Sequence, residues 1–367
     1  MNRKTGIGIV GCGNISDIYF SNLTNMFPGV EIRGCSDLDA GKAAAKKKKY
    51  NVPVYSTEEL VKRDDIDIIL NLTTPPYHGT IDKLALENGK HVYSEKPFAS
   101  DREEAAEVLA LAENKGLRVG CAPDTFLGSA FQTCRKLIDE GEIGKPLSVF
   151  ASMNCHGHES WHPAPDFYYK KGGGPMLDMG PYYLTALVSL LGPVKSVQAV
   201  TSCGFEQRVC SAANTKGKKI DVEVPTHYQG LMTFENGAAG SVIMSFDTWK
   251  SELPRIEIHG TEGSLLIPDP NGFDGPVKLF RKDSLKTAKV STRNFPYKMN
   301  SRGVGLADMA DAIAADRPHR ASGDMAFHVL DVMLAFEEAG ETGTSVQIKS
   351  SMKQPEPFQA GLKKGEL

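Results

Sequence analysis

The stretch Gly8-Ile-Val-Gly11-Cys-Gly13-Asn-Ile-Ser16 decides the fold of the amino-terminal part of the chain. It begins within an apolar run, Ile7–Val10, and opens a segment of helical composition, Ile15–Asn25. Gly11 permits the tight turn between strand and helix, and Gly13 lets a pyrophosphate approach the backbone at the helix amino terminus. The pattern predicts a strand–turn–helix unit that binds a dinucleotide, and a glycine turn without a ligand is the alternative.

An acidic residue at the end of the next apolar run completes this signature. Asp37 lies in the segment GCSDLD, where its carboxylate can accept hydrogen bonds from the adenosine ribose hydroxyls and would repel a 2′-phosphate. Leu38 follows at a position where an NADP enzyme often carries Arg. NAD is therefore the predicted cofactor, and NADP is less favoured. The predicted contacts in this part of the chain are Gly11, Gly13, Asn14, Ile15 and Asp37.

Residues 5 to about 121 alternate short apolar runs with segments of helical composition. Strands with little polar alternation, separated by helices, indicate a parallel sheet that is covered on both faces, as in a doubly wound α/β domain. We therefore expect a dinucleotide-binding domain over residues 1–122. The predicted strands are Ile7–Val10, Val30–Cys35, Val52–Tyr55, Ile66–Leu72, His91–Ser94 and Leu117–Cys121.

From about residue 122 the pattern changes to longer strands with polar alternation. Such strands indicate a mostly antiparallel sheet, with one face packed and the other available to a partner. Two amphipathic helices, Gly305–Asp316 and Asp324–Gly340, close this second part, residues 269–300 are rich in turns, and the last fifteen residues resemble a loose tail. The predicted strands are Pro146–Met153, Val194–Ser202, His227–Phe234, Ala238–Phe246, Arg255–His259 and Ser264–Pro268, after a helix at Ser129–Glu140.

Composition excludes several classes of function. A net charge of −3 provides no field that would hold a polyanion, so nucleic acid is not expected as a partner. No window approaches 18 uninterrupted apolar residues, so no membrane span is expected. The seven cysteines are odd in number and form no Cys-x-x-Cys pair, which indicates reduced thiols in a cytoplasmic protein.

Three further motifs identify a family. They are Asn71-Leu-Thr-Thr-Pro-Pro-Tyr-His78, Gly89-Lys-His-Val-Tyr-Ser-Glu95-Lys96-Pro97 and Gly172-Gly-Gly-Pro-Met-Leu-Asp178-Met-Gly180-Pro-Tyr182. With the glycine motif, their order and spacing resemble the glucose–fructose oxidoreductase, inositol dehydrogenase and MocA family over nearly the whole chain. The resemblance implies a Rossmann domain over residues 1–122 and a substrate-binding and oligomerisation domain over residues 123–367. In this family the open sheet of the second domain often packs against another copy, which implies a homodimer or homotetramer.

The resemblance also implies hydride transfer between the nicotinamide cofactor and a secondary alcohol of a sugar, polyol, cyclitol or glycoside. Ligands of open α/β sheets bind beyond the carboxyl ends of the strands, so the residues that end two predicted strands should face the same crevice as the glycine loop. His78, at the start of the next helix, is a predicted cofactor contact, with a packing role as the alternative. The remaining predicted cofactor contacts are Thr73, Thr74, Pro75, Glu95 and Lys96.

The residues for proton transfer depart from the usual family pattern. Many relatives have histidine where this chain has Tyr182. Thr185 stands where those relatives usually have an acidic residue. Some sugar and dihydrodiol oxidoreductases of the family are similar in having tyrosine at this position. A phenol has a pKa of about 10 and needs a nearby cation to work near neutrality, and Lys96 is the available one. Asp178, one helical turn before Tyr182, can orient the lysine or a substrate hydroxyl, so the predicted catalytic residues are Lys96, Tyr182 and Asp178. An interface tyrosine with a satisfied hydroxyl is the alternative for Tyr182.

The segment Cys155-His156-Gly-His158-Glu159-Ser-Trp161-His162-Pro163 has the residue types of a metal site. Hydride transfer to NAD needs no metal, and the family that the chain resembles generally uses none. We therefore predict a substrate loop with His158, Trp161 and His162 as contacts, and no metal; a structural loop is the alternative. His328, on the last long helix, either reaches the site or is a buried helix histidine.

Two other functions remain open at this point. The chain also resembles NAD-dependent glycosidases, in which transient oxidation of the sugar acidifies a neighbouring C–H bond and allows elimination of a glycosidic group. A non-catalytic NAD-binding sensor would need the glycines and Asp37 but neither Lys96 nor Tyr182.

Overall fold

A five-stranded parallel sheet organises the amino-terminal part of the protein. The computed structural model describes residues 3–284 and 286–367. The strands lie in the spatial order β2-β1-β3-β4-β5 and are paired in parallel throughout. They are β1 Thr5–Val10, β2 Val30–Ser36, β3 Ile68–Asn71, β4 His91–Ser94 and β5 Val119–Cys121. The helices of this part are α1 Ser16–Asn25, α2 Ala40–Tyr50, α3 Thr57–Val61, α4 His78–Glu87 and α5 Arg102–Asn114. This arrangement confirms the predicted doubly wound α/β fold.

The strand order reverses direction at β1, which has β2 on one side and β3 on the other. In open α/β sheets the crevice at this reversal, beyond the carboxyl ends of the strands, is where ligands bind. The glycine loop follows β1 and the Thr73–Thr74–Pro75 segment follows β3, so both lie at this edge.

The predicted strand Val52–Tyr55 is wrong. Only one isolated bridge forms there, between Val54 and Cys35. Pro53 accepts a hydrogen bond from the Cys35 backbone N–H, but it has no N–H of its own to continue a ladder. The segment therefore touches the edge of β2 without becoming a sixth strand.

The second sheet contains nine strands in the order β15-β14-β13-β12-β6-β11-β10-β7-β16. Its pairs are antiparallel except β6 with β11, which confirms the prediction of a mostly antiparallel sheet. A small two-stranded sheet is formed by β8 and β9. The strands are β6 Pro146–Asn154, β7 Val194–Ser202, β8 Gln207–Val209, β9 Lys219–Asp221, β10 His227–Phe234, β11 Ala239–Ser245, β12 Ile256–Gly260, β13 Gly263–Ile267, β14 Val277–Arg281, β15 Ala288–Val290 and β16 Val346–Gln347.

One face of this sheet packs on a long helix and the other does not. The helix, α7 Gly174–Leu191, follows α6 Ser129–Asp139 and contacts β6, β10 and β11. Along β10 the side chains alternate, with Tyr228 and Met232 buried while Gln229 and Leu231 are exposed. The nine-stranded sheet therefore buries one face against α7 and presents a face of mixed polarity on the other side.

The chain divides into two units that are not continuous in sequence. The first unit contains the residues up to Gln132, Arg293–Leu330 and Pro355–Leu367, and the second contains Thr133–Thr292 and Asp331–Gln354. The helices α8 Val304–Ala314 and α9 Gly323–Thr342 confirm the two predicted carboxyl-terminal helices. Residues 269–300, expected as turns, contain the strands β14 and β15. A domain boundary at residue 122 stays a prediction.

The prediction of a loose carboxyl-terminal tail is wrong. Phe358 is buried, and its backbone N–H donates to the Gln132 side chain at 2.7 Å. Further along, the Glu366 carbonyl accepts a hydrogen bond of 2.6 Å from the Tyr297 hydroxyl. These contacts lie within the first unit and involve residues that are distant in sequence, so local composition gave no sign of them.

Candidate active site

The glycine loop after β1 has the shape that a dinucleotide requires. Gly11 adopts φ +101°, and a Cβ at this position would lie 2.5 Å from the Leu72 carbonyl oxygen, so no other residue fits. A Cβ at Gly13 would meet no described atom within 4 Å, which leaves room beside the backbone. The Ser16 hydroxyl donates to the Gly13 carbonyl at 2.5 Å and holds the turn against the start of α1.

The amino terminus of α1 fits the pyrophosphate of NAD. Its N-cap residue is Ile15, and no side-chain hydrogen bond caps the described backbone N–H groups of the first turn. Uncapped N–H groups and the positive end of the helix dipole both favour an anion. Gly11, Gly13, Asn14 and Ile15 are the residues that would hold it.

Asp37 is fixed at the end of β2 by backbone donors. Its Oδ2 accepts a hydrogen bond of 2.7 Å from the Cys12 N–H, and its Oδ1 accepts one of 2.7 Å from the Asp39 N–H. Leu38, between the two acids, is 99% exposed. Its side chain therefore points into solvent and does not pack over the Asp37 carboxylate. The carboxylate is therefore oriented before any ligand arrives, as recognition of ribose hydroxyls requires.

His78 joins the two loops that follow β3 and β4. Its Nδ1 lies 2.8 Å from the Pro97 carbonyl oxygen and its Nε2 lies 3.0 Å from the Thr73 carbonyl oxygen. Because a carbonyl only accepts, both contacts are hydrogen bonds when both ring nitrogens carry protons, as in the imidazolium. The side chain is fully buried, as the packing alternative expects, and a contact of His78 with the cofactor stays a prediction. The ring supports the loops from behind.

A buried carboxylate accompanies this histidine. Asp82, on the next turn of α4, accepts hydrogen bonds from the Ser94 hydroxyl and from the Asn71 side-chain amide, the latter at 2.7 Å. Burial raises the pKa of Asp82 to about 6, while the bonds from Ser94 and Asn71 and the charge of His78 oppose the rise. Asn71 also accepts from the Thr73 hydroxyl at 2.7 Å. One network thus fixes both strand ends at the crevice.

Glu95 holds the turn that carries Lys96. The Tyr19 hydroxyl donates to Glu95 Oε1 at 2.7 Å, and the Lys96 N–H donates to Glu95 Oε2 at 3.0 Å. Burial raises the pKa of Tyr19 well above its ordinary value, so this phenol remains a hydrogen-bond donor. The Lys96–Pro97 peptide bond is cis. What the structure shows for Glu95 is therefore a support of the lysine turn by both carboxylate oxygens.

In the second unit, consecutive glycines allow α7 to begin where it does. A Cβ at Gly173 would lie 2.3 Å from the Phe167 carbonyl oxygen, and Gly174 adopts φ +86°. No side chain fits this approach of the two backbones. The helix then places Asp178 and Tyr182 four residues apart, and therefore on one face.

Asp178 pairs with a histidine from the loop after β6. His158 Nε2 lies 3.1 Å from Asp178 Oδ2, and the side chains of the two residues are 13% and 17% exposed. The rings of Tyr168 and Phe246 pack on His158, with centroids at 4.3 and 4.7 Å. With a proton on Nε2 for this contact, Nδ1 of the neutral ring is an acceptor.

Sequence comparisons decide the family. Residues 5–122 match the profile of an oxidoreductase family with an NAD-binding Rossmann fold, and residues 131–266 match the Gfo/Idh/MocA carboxyl-terminal domain. The chain belongs to the Gfo/Idh/MocA family. The resemblance inferred from the motifs is thereby confirmed.

Similar proteins of this family include dehydrogenases and reductases. The D-xylose dehydrogenase of Paenarthrobacter nicotinovorans is 28% identical over 230 residues, which cover 59% of this chain and 58% of that protein, a little over half of its length. The 1,5-anhydro-D-fructose reductase of Ensifer adhaerens is 27% identical over 359 residues, or 96% of this chain and all of that one. An NAD binding oxidoreductase from Klebsiella pneumoniae has the same fold, with a TM-score of 0.82 at 20% identity over 95% of this chain and 100% of that one.

The other predicted substrate residues of this Gfo/Idh/MocA protein surround His158. Trp161 is 60% exposed, and its ring meets His158 edge-on at 5.2 Å. His162 Nδ1 accepts a hydrogen bond of 3.1 Å from the Ala164 N–H and is therefore occupied within the loop. Tyr182 is 8% exposed, and His328 is fully buried. Of the two alternatives for His328, the structure shows the buried helix histidine.

No metal centre is evident in the described part of this family member. Across residues 3–284 and 286–367, no group of three or more His, Cys, Asp or Glu side chains could hold an ion. Independence from metals stays a prediction. Within the same ranges, none of the helices is both long and apolar enough to cross a membrane.

One buried cluster that supports the substrate loop was not predicted. Arg208, only 2% exposed, donates to Glu159 at 3.3 Å, to the Phe246 carbonyl at 2.8 Å and to Asp247. Glu159 also accepts from the Tyr169 hydroxyl. These residues come from separate strands and loops, so no local pattern could have revealed the cluster. It fastens the loop that carries His158 to the end of β11.

Proposed function

We propose that this protein is an NAD-dependent dehydrogenase that oxidises a secondary alcohol of a sugar, polyol, cyclitol or glycoside. The observation that carries the proposal is the His158–Asp178 pair, which is surrounded by aromatic rings. The other unit has an oriented Asp37 and a helix, α1, whose amino terminus has no side-chain cap. Aromatic walls with few polar groups suit the C–H faces and hydroxyls of a carbohydrate. The names of the xylose dehydrogenase and the anhydrofructose reductase support the same substrate class.

Oxidation of an alcohol needs a base for the hydroxyl proton. When bound, NAD supplies the acceptor for the hydride that leaves the substrate carbon. We assign Tyr182 as the proton acceptor, Lys96 as the cation that favours its phenolate form, and Asp178 as the residue that orients the reacting groups. Each assignment rests on the side chain's own surroundings: the Glu95-supported turn for Lys96, and the shared face of α7 for Tyr182 and Asp178.

The His158–Asp178 contact supports a second assignment of the base. A carboxylate that accepts from one ring nitrogen orients the imidazole and stabilises its protonated form. An imidazole titrates closer to neutrality than a phenol and needs no added cation. His158 would then remove the hydroxyl proton, with Tyr182 as a hydrogen-bonding neighbour of the substrate.

NAD is proposed over NADP because of Asp37. Its carboxylate is held by two backbone N–H groups, so it cannot easily turn away from a 2′-phosphate. Lys42, a nearby cation on α2, lies 4.0 Å from Asp39 and is 57% exposed in its side chain. Repulsion from a fixed carboxylate should outweigh the attraction of a solvated lysine that is already near Asp39.

A substrate panel tests the activity. Purified protein is mixed with NAD and with single sugars, polyols, cyclitols and glycosides, and NADH is followed by absorbance. Net NADH formation supports a dehydrogenase. Release of an aglycone with no net NADH indicates the glycosidase instead, and NAD binding without turnover of any compound indicates the sensor.

We also propose a homodimer or homotetramer formed through the open face of the nine-stranded sheet. Leu231 and Val200 are 57% and 72% exposed on this face, between polar residues such as Gln198 and Gln229. Apolar side chains on an uncovered sheet face are normally buried by a partner. Light scattering should show a mass of two or four chains, and Leu231→Lys should lower it; a wild-type monomer at micromolar concentration would refute the assembly.

A cytoplasmic location is proposed from the thiols. All seven cysteines are free, and five of them are buried, namely Cys12, Cys35, Cys121, Cys134 and Cys210. Reduced thiols in these numbers suit a reducing compartment. Cell fractionation tests the location.

A further inference from the structure

The two tryptophans of the chain both lie exposed on the second unit. Trp161 is 60% exposed and Trp249 is 79% exposed. Each indole contacts a histidine of the same loop: Trp161 meets His158 edge-on, and Trp249 stacks on His156 with centroids 3.4 Å apart and planes at 14°. His156 and His158 are two residues apart, so the loop carries two neighbouring histidine–tryptophan pairs. Only the first belongs to the site described above.

Trp249 is held in place rather than extended freely into water. The preceding residue, Thr248, donates its N–H to the Cys155 carbonyl at 3.0 Å and its hydroxyl to the Asn154 side chain at 3.2 Å. These bonds join the loop after β11 to the loop after β6. On the other side of His156, the Phe205 ring packs edge-on at 5.5 Å. The indole therefore rests on a fixed floor and keeps most of its surface exposed.

A stacked but exposed indole leaves apolar surface in water, which is unfavourable, and it does not contribute to a core. A pyranose ring suits such a surface, because its C–H face can cover an aromatic ring while its hydroxyl groups stay hydrated. His156 covers one face of the indole and leaves the opposite face for a ligand. One ligand ring can thus stack on an aromatic surface that is already held in place.

We infer that the Trp249–His156 pair is a second sugar-binding subsite, and that the substrate is a glycoside or oligosaccharide with at least two rings. The inference rests on the proposed function for its first ring, which occupies the His158–Asp178 site. The second ring stacks on Trp249 and takes no part in the chemistry. Binding of this remote ring raises kcat/KM for two-ring substrates, although the ring does not touch the reacting carbon.

Fluorescence can report on each indole separately because the chain has two tryptophans. In Trp161→Phe, the only indole is that of Trp249. Titration with cellobiose, maltose and trehalose should change its emission for at least one disaccharide, and D-glucose at the same concentration should change it less. No change with any of the three disaccharides overturns the inference. This measurement needs no turnover.

Kinetics provide the second test. For the best two-ring substrate, Trp249→Ala should lower kcat/KM about 3- to 10-fold, the range that an aromatic contact commonly contributes. The value for a one-ring substrate should stay unchanged, and Trp249→Phe should retain most of the wild-type value. Leu147→Ala, a truncation of an exposed residue on β6, is the matched control and should leave both unchanged.

The two proposals fail in different ways. If disaccharides change the emission of Trp249 but no sugar is oxidised, the subsite stands and the dehydrogenase proposal falls. If single-ring sugars are oxidised while Trp249→Ala slows one-ring and two-ring substrates equally, the subsite falls alone. A change of oligomeric mass in Trp249→Ala, with unaltered kinetics, would assign the indole to a protein interface instead.

Discussion

His158 Nε2 lies 3.1 Å from Asp178 Oδ2, although twenty residues separate them in the chain. The pair joins a loop after β6 to the first turns of α7, and three aromatic rings surround the imidazole. A carboxylate in this position fixes which ring nitrogen carries the proton. Asp178 therefore orients an imidazole in this structure, and its predicted role toward a lysine or a substrate hydroxyl stays a prediction.

This pair allows the two candidate bases to be separated. If His158 is the base, His158→Gln should lower kcat/KM about 10²- to 10⁴-fold, since general base catalysis is commonly worth that much. Asp178→Asn should lower it as well, because the amide cannot stabilise the imidazolium. The measurement is the rate of NADH formation on a true substrate. His158→Gln with a loss only in KM would make His158 a binding residue and leave Tyr182 as the base.

A double-mutant cycle tests the assignment of Lys96 and Tyr182. Lys96→Met removes the cation, and Tyr182→Phe removes the hydroxyl while keeping the ring. Each should lose about 10²- to 10⁴-fold in kcat/KM. If the two act together, the double variant should be little worse than the poorer single variant. Near-full turnover in Tyr182→Phe would contradict the assignment, and NAD affinity in that variant serves as the folding control.

Asp37 should determine the choice of cofactor. Wild-type protein should bind NAD more tightly than NADP, because the oriented carboxylate repels the 2′-phosphate. Asp37→Ser should reduce this preference by at least about tenfold, mainly by weakening NAD binding. Isothermal titration of both cofactors with both proteins checks it. Asp39→Ser is the matched control, since Asp39 caps α2, and it should leave the preference unchanged. Equal affinities in the wild type would show that the carboxylate does not discriminate.

His78 should act on the cofactor and Lys96 loops through its two carbonyl contacts. Asn in place of His78 cannot reach both the Thr73 and Pro97 carbonyls, so the two loops should lose their common support. We expect weaker NAD binding and a roughly tenfold lower kcat/KM, about 1.4 kcal/mol. Isothermal titration with NAD and initial rates of NADH formation are the measurements. Wild-type NAD affinity and turnover in this variant would contradict the prediction.

Asp124 should make stability depend on pH. Its Oδ2 accepts from the N–H groups of Gly303 and Gly305 at 2.8 and 3.0 Å, and burial raises its pKa from 3.8 to about 6. A raised carboxyl pKa stabilises the fold below the unfolded-state pKa, and this contribution is lost as pH rises through the folded-state pKa. Between pH 4 and pH 7 the wild type should lose on the order of 3 kcal/mol relative to Asp124→Asn.

Urea unfolding of both proteins across this range measures the difference. The comparison with Asp124→Asn cancels the titration of the other groups, which the two proteins share. Parallel curves of unfolding free energy against pH would show that Asp124 does not change its charge in this window.

Local sequence was sufficient for the features that depend on local geometry. A backbone φ of +101° at Gly11 and an acid after β2 are requirements of single positions, and they identified the cofactor loop directly. Most of the strands were predicted from their apolar residues. These alternate with polar residues where one face of the strand is buried and are continuous where both faces are buried. The motif order, from the glycine loop to Asp178, also identified the family.

Other features arose only from contacts between distant residues. Pro53 prevents a strand in a segment whose other residues favour one. The last residues pack on the first unit through individual hydrogen bonds, such as the one from the Phe358 N–H to the Gln132 side chain. The support that His78 gives to two loops was not evident from sequence, because the carbonyls that meet its ring come from different loops. The partner of Asp178 and the stacking of Trp249 on His156 likewise depend on which loops the nine-stranded sheet brings to one edge. Sequence alone specified which side chains were available for chemistry, whereas the tertiary structure decided which of them meet, because burial and hydrogen bonding are settled between segments that only folding brings together.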